Sequence, residues 1–284
     1  MFVTIAVILR IISNSLSNVF QKQLAEQGFN PSYINFIMYL GLSVCIIPLI
    51  AGMNYMELSN GFYLYAVLGG LFGALGNSYL VKALKNGELS VLGPINAYKS
   101  VVAMIFGIFL LGEIPSLYGI VAVLLIIAGR YFVFDTQEEG FSFKLLSRAD
   151  IRYRFYALFF TALEAVCIKN VIKESDIVMA FIMWCVFGAI FTGIIIAFKE
   201  VKTPKITKTA FFKFVKIIIL MGLMQYTTNY VFSNMQVSYG LALFQMSALV
   251  SVILGWRYFN ETNIVKKLLG TLIMVTGAVI LSII

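Results

Sequence analysis

The sequence predicts an all-α polytopic membrane protein with ten transmembrane helices, built as two inverted repeats of five helices. Three observations support this. The 284 residues are 61% hydrophobic and 12% charged, whereas a soluble domain is about half apolar and about a quarter charged. Apolar runs long enough to cross a bilayer recur along the chain. Polar residues of the two halves recur in register, which indicates an internal duplication.

The absence of histidine and the wide spacing of the cysteines limit the kinds of chemistry that the chain can perform. The chain has no histidine, which removes imidazole metal ligands, histidine proton relays and serine–histidine nucleophiles. We expect Cys45, Cys167 and Cys185, which are far apart, to be buried apolar residues rather than metal ligands or a disulfide. The sequence therefore predicts no enzyme, no metal and no cofactor. The formal charge of +8 fits a partner such as the anionic lipid bilayer rather than nucleic acid.

A spanning helix needs about 20 mostly apolar residues. Some runs carry no charge, and the longest of these should form two helices joined by a turn between Ser233 and Gly240. The other spans carry one internal charge or are slightly short. The predicted spans are Phe2–Gln23, Tyr33–Met56, Leu58–Val81, Leu89–Leu111, Ile114–Phe134, Tyr153–Lys173, Ile177–Phe198, two within Ile217–Trp256, and one containing Leu268–Ile284.

The duplication predicts the domain organisation. A constant shift matches polar and small residues of one half to the other, namely Asn86 to Asn234, Ser90 to Ser238, Gly107 to Gly255, Glu113 to Glu261, and Gly129 to Gly277. We predict a first repeat at 1–135, a polar linker at 136–152 and a second repeat at 153–284. Because each repeat has an odd number of spans, the two copies must cross the membrane in opposite directions, as in many secondary transporters.

The basic residues predict the orientation. Arg10 and Lys99 lie inside spans, and Lys169 and Lys173 lie at the end of the sixth span. All other Lys and Arg residues lie in or beside the loops that follow odd-numbered spans. Because basic loops stay in the cytoplasm, we predict a multi-pass protein of the plasma (inner) membrane with both termini on the non-cytoplasmic side.

Two segments, one in each half of the chain, are similar to a motif of a known family. The segment Asn86–Pro94, followed by a helix to Glu113 and another that ends at Gly129, is similar to the fourth and fifth spans of an EamA domain. The segment Ser238–Gly277 is similar to the same two spans in a second copy. The chain therefore resembles EamA-domain transporters of the drug/metabolite transporter superfamily over nearly its whole length.

The resemblance implies a fold and an activity. It implies secondary transport of a polar or amphipathic metabolite through a central cavity between the halves, to which the first, fourth and sixth spans contribute. Two positions depart from the pattern. Ala122 replaces an expected glycine, which Gly270 supplies in the second copy, and Ala242 stands where the first copy has Pro94.

Three charged residues, Arg10, Lys99 and Glu164, fall near the middle of predicted spans. A charge at the bilayer centre costs roughly 2.5–3.5 kcal/mol, so we expect all three to face the interior. In the functional interpretation, Glu164 pairs with Arg10 or Lys99 and the spare cation receives an anionic substrate, or Glu164 takes up a proton and couples transport to it. In the structural interpretation, an ion pair clamps two helices, or Arg10 extends to the membrane face.

Polar residues of several spans complete the candidate site. Those of the first span are spaced four, four and three residues apart, which places them on one helical face. They would bind a polar substrate or, alternatively, form hydrogen bonds between helices. The substrate-binding candidates are Arg10, Asn14, Asn18, Gln21, Asn96, Tyr98, Lys99, Glu164, Gln225, Asn229 and Gln245.

Other features are better interpreted as structural. Glu113 and Glu261 each precede a predicted helix, whose N-terminal dipole a carboxylate complements. Gly69, Gly73 and Asn77 form a small-residue face suited to close helix packing.

Two functions remain open at this point. One is a secondary transporter of a small polar metabolite, and the other is a non-transporting membrane partner in cell-envelope biosynthesis. The intramembrane charges and the polar face of the first span favour the transporter, because a scaffold has no need of them. The substrate, the coupling ion, the direction of transport and the choice between monomer and homodimer are left open.

Overall fold

The computed structural model describes residues 2–50, 58–98, 117–134, 147–198, 203–235 and 237–283, and all regular elements in these ranges are helical. The order is α1 (Phe2–Glu26), α2 (Pro31–Cys45), α3 (Ile47–Ile50), α4 (Asn60–Asn86), α5 (Leu89–Leu92), a 3₁₀ turn (Pro94–Ala97), α6 (Leu117–Phe134), α7 (Ala149–Glu174), α8 (Ile177–Ala197), α9 (Lys208–Asn234), α10 (Val237–Phe244), α11 (Ser247–Phe259) and α12 (Ile264–Ile283).

Several of these helices are long and apolar enough to cross a membrane. Within the described residues they are Phe2–Glu26, Asn60–Asn86, Ala149–Glu174, Ile177–Ala197 and Lys208–Asn234, and the stretch Gly240–Phe259, in which a turn joins α10 to α11, is also long and apolar enough. This supports the prediction of an all-helical, multi-pass membrane protein.

The surface of α1 shows which solvent the fold is built for. Ile5, Ile8 and Ile12 are exposed on its outer face, while Arg10 and Asn18 are buried. A soluble protein places its large apolar residues inside and its charges outside. The reversed pattern is the one that a hydrocarbon surrounding requires.

Helix starts follow local sequence signals. Asn30 Oδ1 accepts a hydrogen bond from the backbone of Ser32 at the start of α2, and Ser59 Oγ accepts from Phe62 at the start of α4. Asp176 caps α8, and Thr207 caps α9. Each side chain satisfies an amide that the first helical turn leaves free.

Three predicted spans differ from continuous helices. The second ends at Cys45 and resumes briefly as α3, and Cys45 is exposed rather than buried as expected. The fourth was expected to be one helix from Leu89, but α5 ends at Leu92 and a 3₁₀ turn begins at Pro94, because proline has no amide to continue the ladder. In the ninth, α10 and α11 are separate helices.

The turn before the ninth span is also shorter than predicted, since α10 already begins at Val237. Lys99 and Glu113, together with most of the predicted linker 136–152, lie outside the described residues.

Close helix pairs build the bundle. α4 packs along α7, α1 along α9, α6 along α12, and α2 along α8. In the α6–α12 pair, a Cβ added at Gly129 would lie 2.6 Å from the carbonyl oxygen of Gly270, and one added at Gly277 would lie 2.7 Å from that of Ala122. Small residues therefore let these backbones touch, as is common for helices in membranes.

Candidate functional site

A cavity of about 90 Å³ lies among α1, α4, α7, α8, α9, α10 and the 3₁₀ turn after α5. Polar side chains make up much of its wall, although the helices that carry them are apolar. These polar lining residues are Arg10, Asn14, Asn18, Asn77, Asn96, Arg154, Thr161, Glu164, Trp184, Gln225 and Thr228.

The structure brings together part of the predicted site. The candidates that line the cavity are Arg10, Asn14, Asn18, Asn96, Glu164 and Gln225. Gln21, Tyr98, Asn229 and Gln245 are not among its lining residues. Lys99 falls outside the part of the chain that the structure describes.

Glu164 is held in place by a neighbouring helix. Its Oε1 accepts a hydrogen bond of 2.6 Å from the indole Nε1 of Trp184 on α8. The Trp184 ring packs against Tyr39, with ring centroids 4.7 Å apart, and the Tyr39 hydroxyl accepts a 2.6 Å hydrogen bond from Asn77. α2, α4, α7 and α8 thus combine to fix the position of one carboxylate.

Gly73 makes the room that this carboxylate occupies. A Cβ at Gly73 would collide with Oε1 of Glu164. The small-residue face of α4 does pack closely, since a Cβ at Gly70 would collide with Phe187. At Gly73, however, that face also accommodates a charged side chain of the cavity.

Arg10 shares the cavity with Glu164 and is attracted to it. Arg10 is 9% exposed, and its guanidinium carbon lies 4.0 Å from the centroid of the Phe244 ring. Among the described residues, its Nε and Nη1 have no hydrogen-bond partner. The aromatic face stabilises the cation, but part of its hydrogen-bonding capacity remains unused.

Arg154 lines the cavity but is not among the candidates predicted from the sequence. The predicted sixth span begins at Tyr153, so Arg154 looked like a basic residue at the end of a span rather than one inside it. Its Nε donates a 2.8 Å hydrogen bond to the carbonyl oxygen of Leu92, the last residue of α5. A signal was present in the sequence. Arg154, Thr161 and Glu164 follow at intervals of seven and three residues, which places them on one helical face.

The start of α5 is fixed by a carboxylate from the other half of the chain. Glu261 Oε1 accepts from the backbone N–H of Leu89 at 2.7 Å, and Oε2 accepts from that of Ser90 at 2.8 Å. The sequence predicts that Glu261 complements the helix that follows it. Its carboxylate caps α5 instead, because the fold brings a residue distant in sequence to those two free amides.

Two lysines surround this cap. Lys22 donates to the carbonyl oxygen of Gly87, and its Nζ lies 3.6 Å from Oε1 of Glu261. Lys267 forms an ion pair with Glu88. We call Lys22, Glu88, Glu261 and Lys267 the α5 clamp. Together with Arg154 at the other end, it holds α5 by charged groups at both termini.

A related contact lies at the end of α9. Lys169, on α7, donates to the backbone carbonyl oxygens of Phe232 and Met235. Lys22, on α1, does the same to Gly87 just after α4. In both cases a lysine satisfies carbonyls that a helix C-terminus leaves free.

A known family accounts for both halves of the chain. The model of the EamA-like transporter family matches residues 1–135 and 152–283. The chain belongs to the EamA-like transporter family. EamA proteins are transporters rather than enzymes, so membership makes this chain a membrane transporter of the drug/metabolite transporter superfamily.

A solved structure named "Crystal structure of protein" shares the fold of this EamA protein. The two have a TM-score of 0.68 and 15% sequence identity, and the match covers 98% of this chain and 95% of that one. At this identity the likeness concerns the fold alone. No curated protein matches the chain.

The candidates outside the cavity of the EamA protein have different surroundings. Asn229 accepts a 2.9 Å hydrogen bond from Gln225 within α9 and donates to the carbonyl of Ile177 on α8 at 3.3 Å, so its amide joins two helices. Gln21 and Gln245 are buried, and their amides have no hydrogen-bond partner among the described residues.

Proposed function

We propose that this EamA protein is a secondary active transporter that moves a small polar or amphipathic metabolite by alternating access. The substrate occupies the cavity, and Glu164 is the candidate for proton coupling. One observation carries the proposal: Arg10, Arg154 and Glu164 converge on one cavity among largely apolar helices. Intramembrane charges are expensive, and where they occur they usually mark the path of a substrate or an ion.

The proposal includes ten transmembrane helices in two inverted repeats, at 1–135 and 153–284, joined by the linker 136–152. The helix pairs support it. Exchanging the halves turns the α1–α9 pair into the α7–α4 pair, while α2–α8 and α6–α12 each pair an element with its counterpart. Lys22 and Lys169 take matching positions at the ends of α4 and α9. Transport sites commonly lie at such a repeat interface.

The α5 clamp supplies the closed face that alternating access requires. It joins Lys22 and Glu88 of the first repeat to Glu261 and Lys267 of the second. These contacts must separate before the cavity can open at that end. The clamp and Arg154 would release α5 together, because they hold its two termini.

The basic loops orient the transporter in the proposal. The clamp lies at the end of the first, third and ninth predicted spans, where lysines and arginines are concentrated, so it faces the cytoplasm. Both termini then lie on the non-cytoplasmic side of the plasma (inner) membrane. A reporter fused to the C-terminus should give a non-cytoplasmic signal, and a cytoplasmic signal would reverse this orientation.

Uptake into proteoliposomes tests the function. The purified protein is reconstituted with a proton gradient and offered a panel of labelled small metabolites, including amino acids, organic acids and polyamines. We expect at least one compound to accumulate, and Glu164→Gln to abolish its gradient-driven accumulation. Glu26→Gln, at an exposed position, is the matched control. If no compound moves and Glu164→Gln equals the wild type, the proposal fails.

A further inference from the structure

We propose that Arg154 is the anion-binding residue of this cavity, so that the transported metabolite carries a carboxylate, phosphate or sulfonate group. The inference rests on the proposed function, since it concerns the substrate class of the same cavity. It starts from the partners of Arg154, which was not among the sequence candidates.

Arg154 is buried, at 8% exposure, and one N–H of its guanidinium is committed to the carbonyl of Leu92. No described carboxylate forms an ion pair with it. A buried cation without a counter-charge is unstable unless something else compensates it. A neutral carbonyl compensates only part of the charge, and the remaining donors of the side chain belong to a cavity wall.

The acidic residues on the same helix are occupied elsewhere. Asp150, one turn before Arg154, accepts two hydrogen bonds from Arg148, at 3.1 and 2.8 Å. Glu164 accepts from Trp184 and lies ten residues further on, which is about 15 Å along a helix axis. Arg154 and Glu164 therefore mark two different levels of the cavity.

The chemistry of guanidinium fits an anionic group. Its planar fork presents parallel N–H donors that match two oxygens of a carboxylate, phosphate or sulfonate. Asn96 lines the same cavity and can add an amide donor. Arg10 is a second buried guanidinium with unused donors on the α1 side. An anion bound at Arg154 would compensate the burial of that cation, and Arg10 adds a second positive charge to the cavity.

The position of Arg154 also connects this subsite to the clamp. α5 is a single turn, with Glu261 at its amides and Arg154 at its last carbonyl. The turn is about 6 Å long. An anion at Arg154 therefore lies about 6 Å from the closed face formed by the α5 clamp. Substrate binding and the release of α5 would involve the same guanidinium.

A purely structural role for Arg154 makes a different prediction, which the native fluorescence of the protein can test. The chain has two tryptophans. Trp184 lines the cavity, and Trp256 is 56% exposed. In a Trp256→Phe protein purified in detergent without added lipid, Trp184 alone reports on the cavity. The probes are iodide as an anion, caesium as a cation and acrylamide as a neutral quencher.

Because the Glu164 carboxylate lies against Trp184, the contribution of Arg154 is measured as a change between variants rather than as the difference between iodide and caesium. Arg154→Gln should lower the iodide quenching constant about 1.5-fold or more, as expected for one unit charge about 15 Å along α7 from the level of Trp184 in water. The acrylamide constant should stay unchanged, the caesium constant should not fall, and Arg154→Lys should retain the iodide constant of the parent protein. Arg148→Gln is the matched control, because Arg148 is paired with Asp150 and is not a lining residue.

The opposite results overturn the inference. An iodide constant that Arg154→Gln leaves unaltered in the Trp256→Phe protein contradicts it, as does a caesium constant that falls as much as the iodide constant does. Acetate and inorganic phosphate should shield Trp184 from iodide, and a failure of both would exclude soluble anions. Because quenching needs no transport, an Arg154-dependent iodide constant in a protein that moves nothing would retain the anion site at Arg154 and reject the proposed function.

Discussion

Glu261 and Ser90 are joined by a hydrogen bond of 2.8 Å from the backbone N–H of Ser90 to a carboxylate oxygen of Glu261. The second oxygen accepts from Leu89 at 2.7 Å. A single side chain thus satisfies two amides of α5, and it does so from the opposite half of the chain. A cap of this kind combines local helix stabilisation with a contact between halves, so its loss should affect both.

Glu261→Gln should lower the stability of the folded protein. A carboxamide offers one acceptor where two amides need one each, and Lys22 loses its buried counter-charge. Hydrogen bonds to a charged group contribute about 1.5–3 kcal/mol each, so we expect a loss of about 2 kcal/mol or more. Thermal unfolding in detergent measures it. Glu26→Gln, which breaks the exposed contact with Lys22, should change stability by less than about 0.5 kcal/mol.

Glu88→Gln should open the cavity at the clamp. The substitution removes the ion pair with Lys267, whose side chain is buried. If the closed form loses about 1.4 kcal/mol of stability relative to an open form, the population of the open form rises about tenfold. The readout is labelling of Asn96→Cys, in a protein without its native cysteines, by a membrane-impermeant thiol reagent added at the clamp face.

The matched control for Glu88→Gln is Glu174→Gln at the other membrane face, where Glu174 accepts from Ser59. Glu88→Gln should increase the labelling rate and Glu174→Gln should not. Equal rates in the wild type and Glu88→Gln would show that this ion pair does not close the cavity.

Gly73→Ala should damage the site more than the fold. The new methyl group would clash with the Glu164 carboxylate. The Glu164 side chain can rotate away from the methyl group, but it then loses its hydrogen bond to Trp184. We expect uptake to fall at least about tenfold, since losing one oriented charged hydrogen bond is worth more than about 1.4 kcal/mol, while the unfolding temperature changes little.

The emission spectrum of Trp184 should shift in Gly73→Ala as well. Gly193→Ala is the control, because a Cβ there would lie 3.2 Å from one edge of the Phe36 ring, a contact that a side chain can relieve. Unchanged uptake and emission in Gly73→Ala would show that the position of Glu164 is not set by this glycine.

Gly270→Ala should destabilise the α6–α12 pair. The added Cβ would lie 2.7 Å from the backbone oxygen of Gly129, and a backbone cannot move aside as a side chain does. We expect a loss of about 1–3 kcal/mol, as for other overpacked sites, measured by thermal unfolding against Gly193→Ala. Equal stability of the two variants would contradict the close backbone contact described here.

The sequence was sufficient for features that depend on periodicity. Helical spacing alone predicted one polar face from Arg10, Asn14, Asn18 and Gln21, and the first three line the cavity whereas Gln21 does not. A polar face on an apolar helix has to turn away from lipid, so its direction follows from composition. The same reasoning predicted that Glu164 faces the interior.

Features that depend on distant contacts were not predictable. Glu261 meets Leu89 across 172 positions of the chain, and no local pattern distinguishes that partner from the nearer helix start. Arg154 looks like a basic residue flanking a span until α7 is seen to begin at Ala149. Trp184 was hidden among apolar residues of α8, although its indole N–H provides the hydrogen bond that positions Glu164.

Proton movement in proteoliposomes tests the central claim most directly. Vesicles that contain the protein and a pH-sensitive dye are mixed with the metabolite panel without an imposed gradient. Proton-coupled movement through the cavity predicts a metabolite-dependent change of internal pH that is absent in Glu164→Gln and unchanged in Glu26→Gln. Metabolite uptake with no pH change, or the same pH change in Glu164→Gln, would contradict the coupling role given to Glu164 and the account built on it.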